Sequence, residues 1–581
     1  RLPWNITYSF NISPRYQWFH NYYFESTQNP DWLAINHGVD RETSQDFDWS
    51  MNNTLNWQQS FGKHSLNITL VQEAEEKKYW EQIISARNIL PTDALGFHEV
   101  ANGDPLYSSF NSNDSHETAD GLLARVFYNY DARYMVTASV RRDGYSAFGT
   151  SNPRATFFSA ALGWTFTNER FFHWKPLNSG KLRLSYGQNG NRSLANPYIA
   201  LANLAPGSGT QGYVDVNGNY IQDFYVRIDR MANPHLQWEK TSAYNAGLDL
   251  GFLNNRFTAA IDYYFMPTSD MIMNQALPSF TGFTSITTNL GEVQNKGFEL
   301  ALTSQNIKSR KFNWNTTFGY SQYSNTIKHL YGTYVDVVDA SGNVVSHKEA
   351  DDISNGWFIG KPISAIWDYK VTGIWQTNQA AQAAVYGQRP GDPIVKNDYT
   401  GDDVKNGNGT VTPVYNNKDK EFIGQKSPPI MWSMRNSFTY GNLNFSFNMY
   451  SYWGHRSIGT SYLNQDNGTS GVTYNMNTYA KKYWTLNNPN NFYARLDAKG
   501  PAGLTSPGAV YDKSFVRLDN VTLGYDMPAK LVSSWGMQAV RFYVTARNVA
   551  VWHKDRHWVT WDIETEGIAP RIYTFGANVT F

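Results

Sequence analysis

The chain has 581 residues, 49 basic against 49 acidic, and no cysteine. A formal charge of zero leaves no basic footprint for a nucleic-acid partner, and the lack of thiols excludes disulfides, thiolate metal sites and cysteine nucleophiles. No run of about 18 apolar residues occurs, which excludes a helical membrane protein, and 16% aromatic residues exclude a disordered chain. Twenty Trp and 38 Tyr beside only 17% charged residues suit a transmembrane antiparallel β-barrel, which needs an apolar band, aromatic girdles and a polar interior.

The elements follow one pattern from end to end. The first segment alternates Leu2, Trp4, Ile6, Tyr8, Phe10 and Ile12 with Asn5 and Thr7. Side chains alternate sides along a strand, so this predicts one apolar and one polar face. The stretch from Glu73 to Leu90 is ambiguous. Glu73 and Lys77 stand at helical spacing, yet the alternating "SLNITLV" runs straight into it, which predicts either a loop helix or a strand extended past the membrane. Leu122, Ala124, Val126, Tyr128 and Tyr130 alternate next, then Tyr244 to Phe252, Phe257 to Phe265, Phe312 to Tyr320 and Leu443 to Met449. Asn245, Asp249, Asp262, Asn313, Asn315 and Asn444 occupy the opposite faces, where a carboxylate needs water rather than lipid. About 18 such segments of roughly ten residues are visible, the length that crosses a bilayer at a tilt. The last, "YTFGANVTF", sets Tyr573, Phe575, Val579 and Phe581 on one face.

Connections are unequal in length. Phe252–Arg256 and Thr439–Leu443 are short and rich in Asn and Gly, as hairpins require. Long connections cover 191–240, 330–362, 377–426 and 454–513. Outer-membrane barrels have short periplasmic turns and long outer loops, which places the long segments outside the cell. No linker divides residues 1–581, so one domain is expected.

The long loops hold Trp357, Trp367, Trp375, Trp453, Tyr462, Trp484 and Tyr493. Aromatic faces stack on sugar rings and peptide side chains, and they serve equally as girdle anchors or docking surface. His553, Asp555 and His557 would point one way on a strand, though two imidazoles make a thin metal site and a polar cluster past a strand end is the expectation. The 12 His are scattered and no G-x-S-x-G elbow occurs, so no enzyme is expected.

Five stretches resemble one family, the SusC/RagA-like TonB-dependent outer-membrane transporters of the Bacteroidota. They are "SVRRDGYSAFG" from Ser139, "LQWEKTSAYNAGLDLGFLNNRFTAAIDYY" from Leu236, "GEVQNKGFELAL" from Gly291, "FVRLDNVTLGYDMP" from Phe515 and "RFYVTARNVAVW" from Arg541. The resemblance implies a 22-stranded barrel with a plug domain. Neither plug nor early strands are recognisable, so this reading expects them upstream of residue 1. It implies that Tyr573, Phe575, Val579 and Phe581 form a barrel-insertion signal, the last strand closing on the first.

The resemblance also implies import of an oligosaccharide or oligopeptide. A SusD-like surface lipoprotein would cap the loops at 191–240 and 377–426, TonB would act through the plug, and transporter–lid pairs would form dimers. Trp357, Trp375, Trp453, Tyr462, Trp484 and Tyr493 are then candidates for contact with substrate or lid. The alternative is a SusC-like barrel serving as a structural scaffold in a larger envelope assembly. "DDVKNGNGTVT" resembles a family loop that begins like a calcium site, with Asp402, Asp403, Asn406 and Asn408 as candidate ligands. Neutral amides replace carboxylates here, so a metal-free Asn-Gly turn is expected.

Overall fold

A computed structural model of the chain describes residues 3–26, 37–89, 94–194, 196–339, 341–458, 483–495, 497–501, 504, 510–555, 562–565 and 569–581. The strands are β1 (Ile6–Phe24), β2 (Gly38–Phe61), β3 (His64–Arg87), β4 (Ser109–Tyr130), β5 (Tyr134–Tyr145), β6 (Arg154–Trp164) and β7 (Leu177–Asn191). There follow β8 (Asn203–Val214), β9 (Tyr220–Arg230), β10 (Glu239–Phe252), β11 (Phe257–Ala276), β12 (Ser285–Lys308) and β13 (Phe312–His329). Short strands come next: β14 (Tyr334–Val338), β15 (Val344–Glu349), β16 (Ala365–Tyr369), β17 (Val371–Ile374), β18 (Pro393–Val395), β19 (Val404–Lys405), β20 (Val411–Thr412) and β21 (Lys420–Gln425). The last are β22 (Ile430–Tyr440), β23 (Leu443–Trp453), β24 (Arg456–Ile458), β25 (Val510–Asp512), β26 (Phe515–Asp526), β27 (Ala539–His553) and β28 (Ile572–Thr580).

Sixteen strands form one sheet in the order β1 to β7, β10 to β13, β22, β23 and β26 to β28. The other twelve pair as six two-stranded ribbons inside the connections. Among the described residues the large sheet thus holds sixteen strands beside the expectation of about 18 crossing segments, and period-2 patterning cannot by itself separate a crossing strand from a loop ribbon. Residues 3–5 form a 3-10 turn, so the first strand starts at Ile6 and not at Leu2.

The chain falls into two compact units. The first comprises Arg1–Glu169, Leu182–Asn245 and Met266–Glu292; the second comprises Arg170–Lys181, Ala246–Phe265 and Val293–Phe581. In the first unit β1 to β6 form an antiparallel meander. Its register aligns whole rows. Tyr8, Leu55, Leu70, Ala124, Val140 and Phe158 stand side by side, one residue per strand. The next row on the opposite face is Thr7, Asn56, Thr69, Arg125, Ser139 and Ser159. β3 runs unbroken through the ambiguous stretch to Arg87, so the extended strand wins over the helix. Its 24 residues reach about 80 Å, well beyond the span of a bilayer.

The second unit repeats the arrangement in its own meander. Trp314, Phe438, Phe445, Leu523, Val544 and Phe575 form an apolar row. The adjoining polar row is Asn315, Ser437, Ser446, Thr522, Thr545 and Thr574. Among the large apolar side chains Phe575 is 77% exposed, Phe158 56% and Tyr8 52%, which water would penalise and hydrocarbon would not. The predicted short turns hold: Gly441 turns the β22–β23 hairpin at φ 54°, and Leu253, Asn254 and Asn255 all take left-handed backbone.

The rows make a direct prediction. Leu70→Arg lies on the apolar face and should cost about 2–4 kcal/mol near the bilayer midplane. Thr69→Arg, one residue away on the polar face, should cost a small fraction of that. Urea titration of the protein folded in lipid vesicles, read by heat-modifiable gel mobility, measures both; equal costs would contradict the assignment of faces.

Candidate functional site

Three places gather polar and aromatic groups. The first is on the polar face of the first unit. Arg141 Nη2 lies 2.5 Å from Glu73 Oε2, and its Nε lies 2.8 Å from Asp143 Oδ1. Arg192 holds Glu75 at 2.7 Å, and the Tyr145 hydroxyl donates to Glu117 at 2.5 Å. The Arg141 and Arg192 pairs border a cavity of about 630 Å³ that Ser50, Asn52, Asn189 and Trp238 also line.

Two of the family-like stretches build this place. Gly149 donates its backbone N–H to Leu236 at 2.9 Å, and a Cβ at Gly149 would stand 2.1 Å from the Pro234 carbonyl oxygen. Only glycine admits that approach. It sets Phe148 against Trp238, ring centroids 4.6 Å apart, in a small core with Tyr145, Phe157 and Leu236. The end of β5 is thereby tied down where Arg141 and Asp143 must be aimed.

The second place lies on the second unit. Asp262, Glu299, Asn448, Tyr450, Tyr452 and Glu564 face a cavity of about 600 Å³. The Tyr450 hydroxyl donates to Glu564 at 2.6 Å. Arg517 grips Asp562 through Nη2 at 2.6 and 2.7 Å, with both side chains buried. Arg517 also donates to Asn548, which takes left-handed backbone at a bulge and donates in turn to the Ala569 carbonyl at 2.9 Å. Asparagine tolerates that conformation better than most residues. The Arg517 and Asn548 positions of two further family-like stretches therefore anchor the connection that precedes β28.

The third place is in the long connections of the second unit. Trp375 and Trp484 are buried, and each donates its indole N–H to a glutamine: Trp375 to Gln388 at 2.9 Å, Trp484 to Gln376 at 3.1 Å. Asp392, 2% exposed, accepts from Arg495 Nε at 3.1 Å and Nη2 at 2.8 Å, from the Lys499 backbone at 2.9 Å and from the Arg389 backbone at 2.9 Å. Burial works against ionised Asp497, yet hydrogen bonds from Arg495 hold its carboxyl below the usual range. Burial likewise opposes charge on Glu349, and the Gly332 and Leu330 backbone N–H groups outweigh it and keep that carboxyl low.

The aromatic candidates separate on these facts. Trp375 and Trp484 build the loop body instead of presenting open faces. Trp357 is half-buried, bonded through its backbone to Asp352. Tyr493 is half-buried against Phe492, centroids 5.0 Å apart. Trp453 is 38% exposed, with the Lys554 ammonium 5.5 Å from its ring. Tyr462 lies outside the described residues. Tyr573, Phe575, Val579 and Phe581 are all exposed on the apolar side of the last strand.

At the calcium-like loop, Asp403 accepts from Asn397 at 3.0 Å and from the Val414 backbone at 3.0 Å. Asn406 donates to Thr410 and Thr412, Asn408 accepts from the Thr410 backbone, and Asp402 sits 3.4 Å from the Asn416 amide. Asn406 and Asn408 thus bond within the β19–β20 ribbon, whereas Asp402 and Asp403 bond residues that flank it. At the other polar cluster, β27 ends at His553 and Asp555 follows it, accepting from the Asp512 backbone at 3.2 Å, while His557 lies outside the described residues. The Asp392–Arg495 and Arg517–Asp562 pairs went unseen in the sequence, because partners 103 and 45 residues apart leave no local pattern.

Residues 1–549 match the family described as TonB dependent receptor-like, beta-barrel. The chain belongs to that family and is an outer-membrane β-barrel chain. It is 28% identical over 589 residues to TonB-dependent receptor P26 of Formosa agariphila, covering 96% of this chain and 56% of that protein. Against TonB-dependent receptor SusC of Bacteroides thetaiotaomicron it is 29% identical over 444 residues, 74% of this chain and 40% of that one. The chain thus spans about half the length of the curated relatives it matches. In fold it resembles the RagAB peptide transporter, with a TM-score of 0.75 over 99% of this chain and 60% of that one, at 20% identity.

The buried Asp392 yields a prediction. Asp392→Ala leaves Arg495 without its buried partner, which costs about 3–5 kcal/mol. Hydrogen exchange at the Lys499 and Arg389 amides should then accelerate at least a hundredfold, while β22 and β23 keep their protection. Unchanged exchange at both amides would show that the pair does not hold these loops.

Proposed function

We propose that this chain forms the wall and outer loops of a TonB-dependent importer for an oligomeric nutrient, an oligosaccharide or oligopeptide. The observation that carries the reading is the cavity bordered by Arg141, Arg192, Glu73 and Glu75 on the polar side of a sheet whose other side is apolar. A polar path lined by guanidinium and carboxylate groups gives hydroxyl- and amide-bearing oligomers many weak partners and no single deep trap, which suits passage. Membership of the receptor family supplies the energy source: TonB acting through a plug within the barrel. A SusD-like surface lipoprotein docks on the long loops, and among the described aromatic candidates Trp453 is the best exposed to meet it or the substrate. Tyr573, Phe575, Val579 and Phe581 act as the signal for insertion into the outer membrane. Pairs of transporter and lid associate as dimers.

The test is to capture the tagged protein from detergent-solubilised outer membranes and identify what accompanies it by mass spectrometry. One stoichiometric surface lipoprotein with a bound glycan or peptide is the expected result. Several unrelated envelope subunits and no ligand would overturn import and favour the scaffold.

A further inference from the structure

The apolar face of the first unit is not smooth. Across β1 to β5 it carries a groove of about 480 Å³, almost wholly apolar in lining. Its floor is the row Tyr8, Leu55, Leu70, Ala124 and Val140. The next row on the same face contributes Asn53, Gln72, Leu122 and Arg142. One row further on stand Asp120 and Arg154, bonded to each other at 2.6 and 2.9 Å across Gly144. The groove therefore runs from hydrocarbon-like lining to a cationic end.

Arg142 and Arg154 are both exposed at that end. Arg154 has Asp120, whereas Arg142 has no ion pair among the described residues. A hydrogen-bonded chain ends at Gln72 in the same row, two strands from Arg142 with Leu122 between them: the Tyr8 hydroxyl donates to Asn53 Oδ1 at 2.6 Å, and Asn53 Nδ2 donates to Gln72 Oε1 at 2.6 Å. This fixes the Gln72 amide with its Nε2 unpartnered among the described residues. Depth fits as well. From Tyr134, beside the short β4–β5 turn, Arg142 lies about 27 Å along the strand, or about 19 Å of membrane depth at a 45° tilt. That is the upper part of an apolar band about 25 Å tall, where a headgroup is within reach.

A charged side chain on the lipid face persists where it meets water or an opposite charge. A guanidinium is shaped for bidentate bonds to phosphate oxygens. We infer that this groove seats one acyl chain of a lipid whose anionic, phosphate-bearing headgroup is bound by Arg142, with Gln72 as a second donor. The inference rests on the membrane placement of these strands and not on what the protein imports.

The experiment is native mass spectrometry of the whole protein in detergent, with equimolar dioleoyl-phosphatidylglycerol and dioleoyl-phosphatidylcholine as probes. One retained phosphatidylglycerol, preferred at least fivefold, is expected. Arg142→Gln should abolish that preference. Lys530→Gln removes an exposed charge elsewhere and should leave it intact. Ala124→Trp fills the groove and should lose the retained lipid of either kind while the strand still folds. Equal preference in the wild type and Arg142→Gln would overturn the site. So would a loss of preference in Lys530→Gln as large as in Arg142→Gln, which would reduce the effect to net charge. Undiminished lipid retention in Ala124→Trp would overturn the acyl seat.

Discussion

In hydrocarbon a backbone N–H or C=O finds no water, so each must be bonded within the protein or pay several kcal/mol. Long antiparallel strands meet this demand by pairing with their neighbours, and the other regularities follow from the pairing. Register lines up one residue from every strand, and the two-residue repeat sends alternate rows to opposite faces. The row that begins with Tyr8 can be wholly apolar because the row that begins with Thr7 carries the polar groups. The same division recurs between the Trp314 and Asn315 rows in the second unit.

Departures from that regularity are where the chain becomes specific. Gly149 allows the end of β5 to press on the 234–236 backbone, and this holds Arg141 and Asp143 beside Glu73. Asn548 breaks the β26–β27 ladder with a left-handed residue, and its side chain joins Arg517 to the stretch before β28. In the long connections an ion pair takes the part that packing plays in a large core. Asp392 accepts four hydrogen bonds, three from Arg495 and Lys499 on a distant segment and one from the nearby Arg389 backbone, and two buried tryptophans pack in the same connections.

Much of this was legible in the sequence for a simple reason: alternation is local. Leu122 to Tyr130 declares its two faces within nine residues, whatever it pairs with. The short turns were legible because left-handed backbone selects Gly and Asn. β3 was half legible, since Glu73 and Lys77 fit a helical spacing and only cross-strand pairing decides against it. The loop site was least legible. Tryptophan in a long loop reads the same whether it stacks on a ligand or fills a core, and Trp375 and Trp484 proved to have glutamines waiting for their N–H groups. Arg142 shows a subtler limit. Its charge looked ordinary within "SVRRDG", and it stands out only once the register places it beside Leu122 on the apolar face.

The most direct measurement uses the absence of cysteine. Single cysteines placed in turn at residues 122–126 of β4 take a nitroxide label, and the protein is returned to lipid. The account predicts that labels at 122, 124 and 126 relax with oxygen dissolved in the bilayer, while those at 123 and 125 relax with a water-soluble nickel complex. Accessibility without that two-residue alternation, or with the opposite parity, would contradict the assignment of one face to lipid and the other to an aqueous interior.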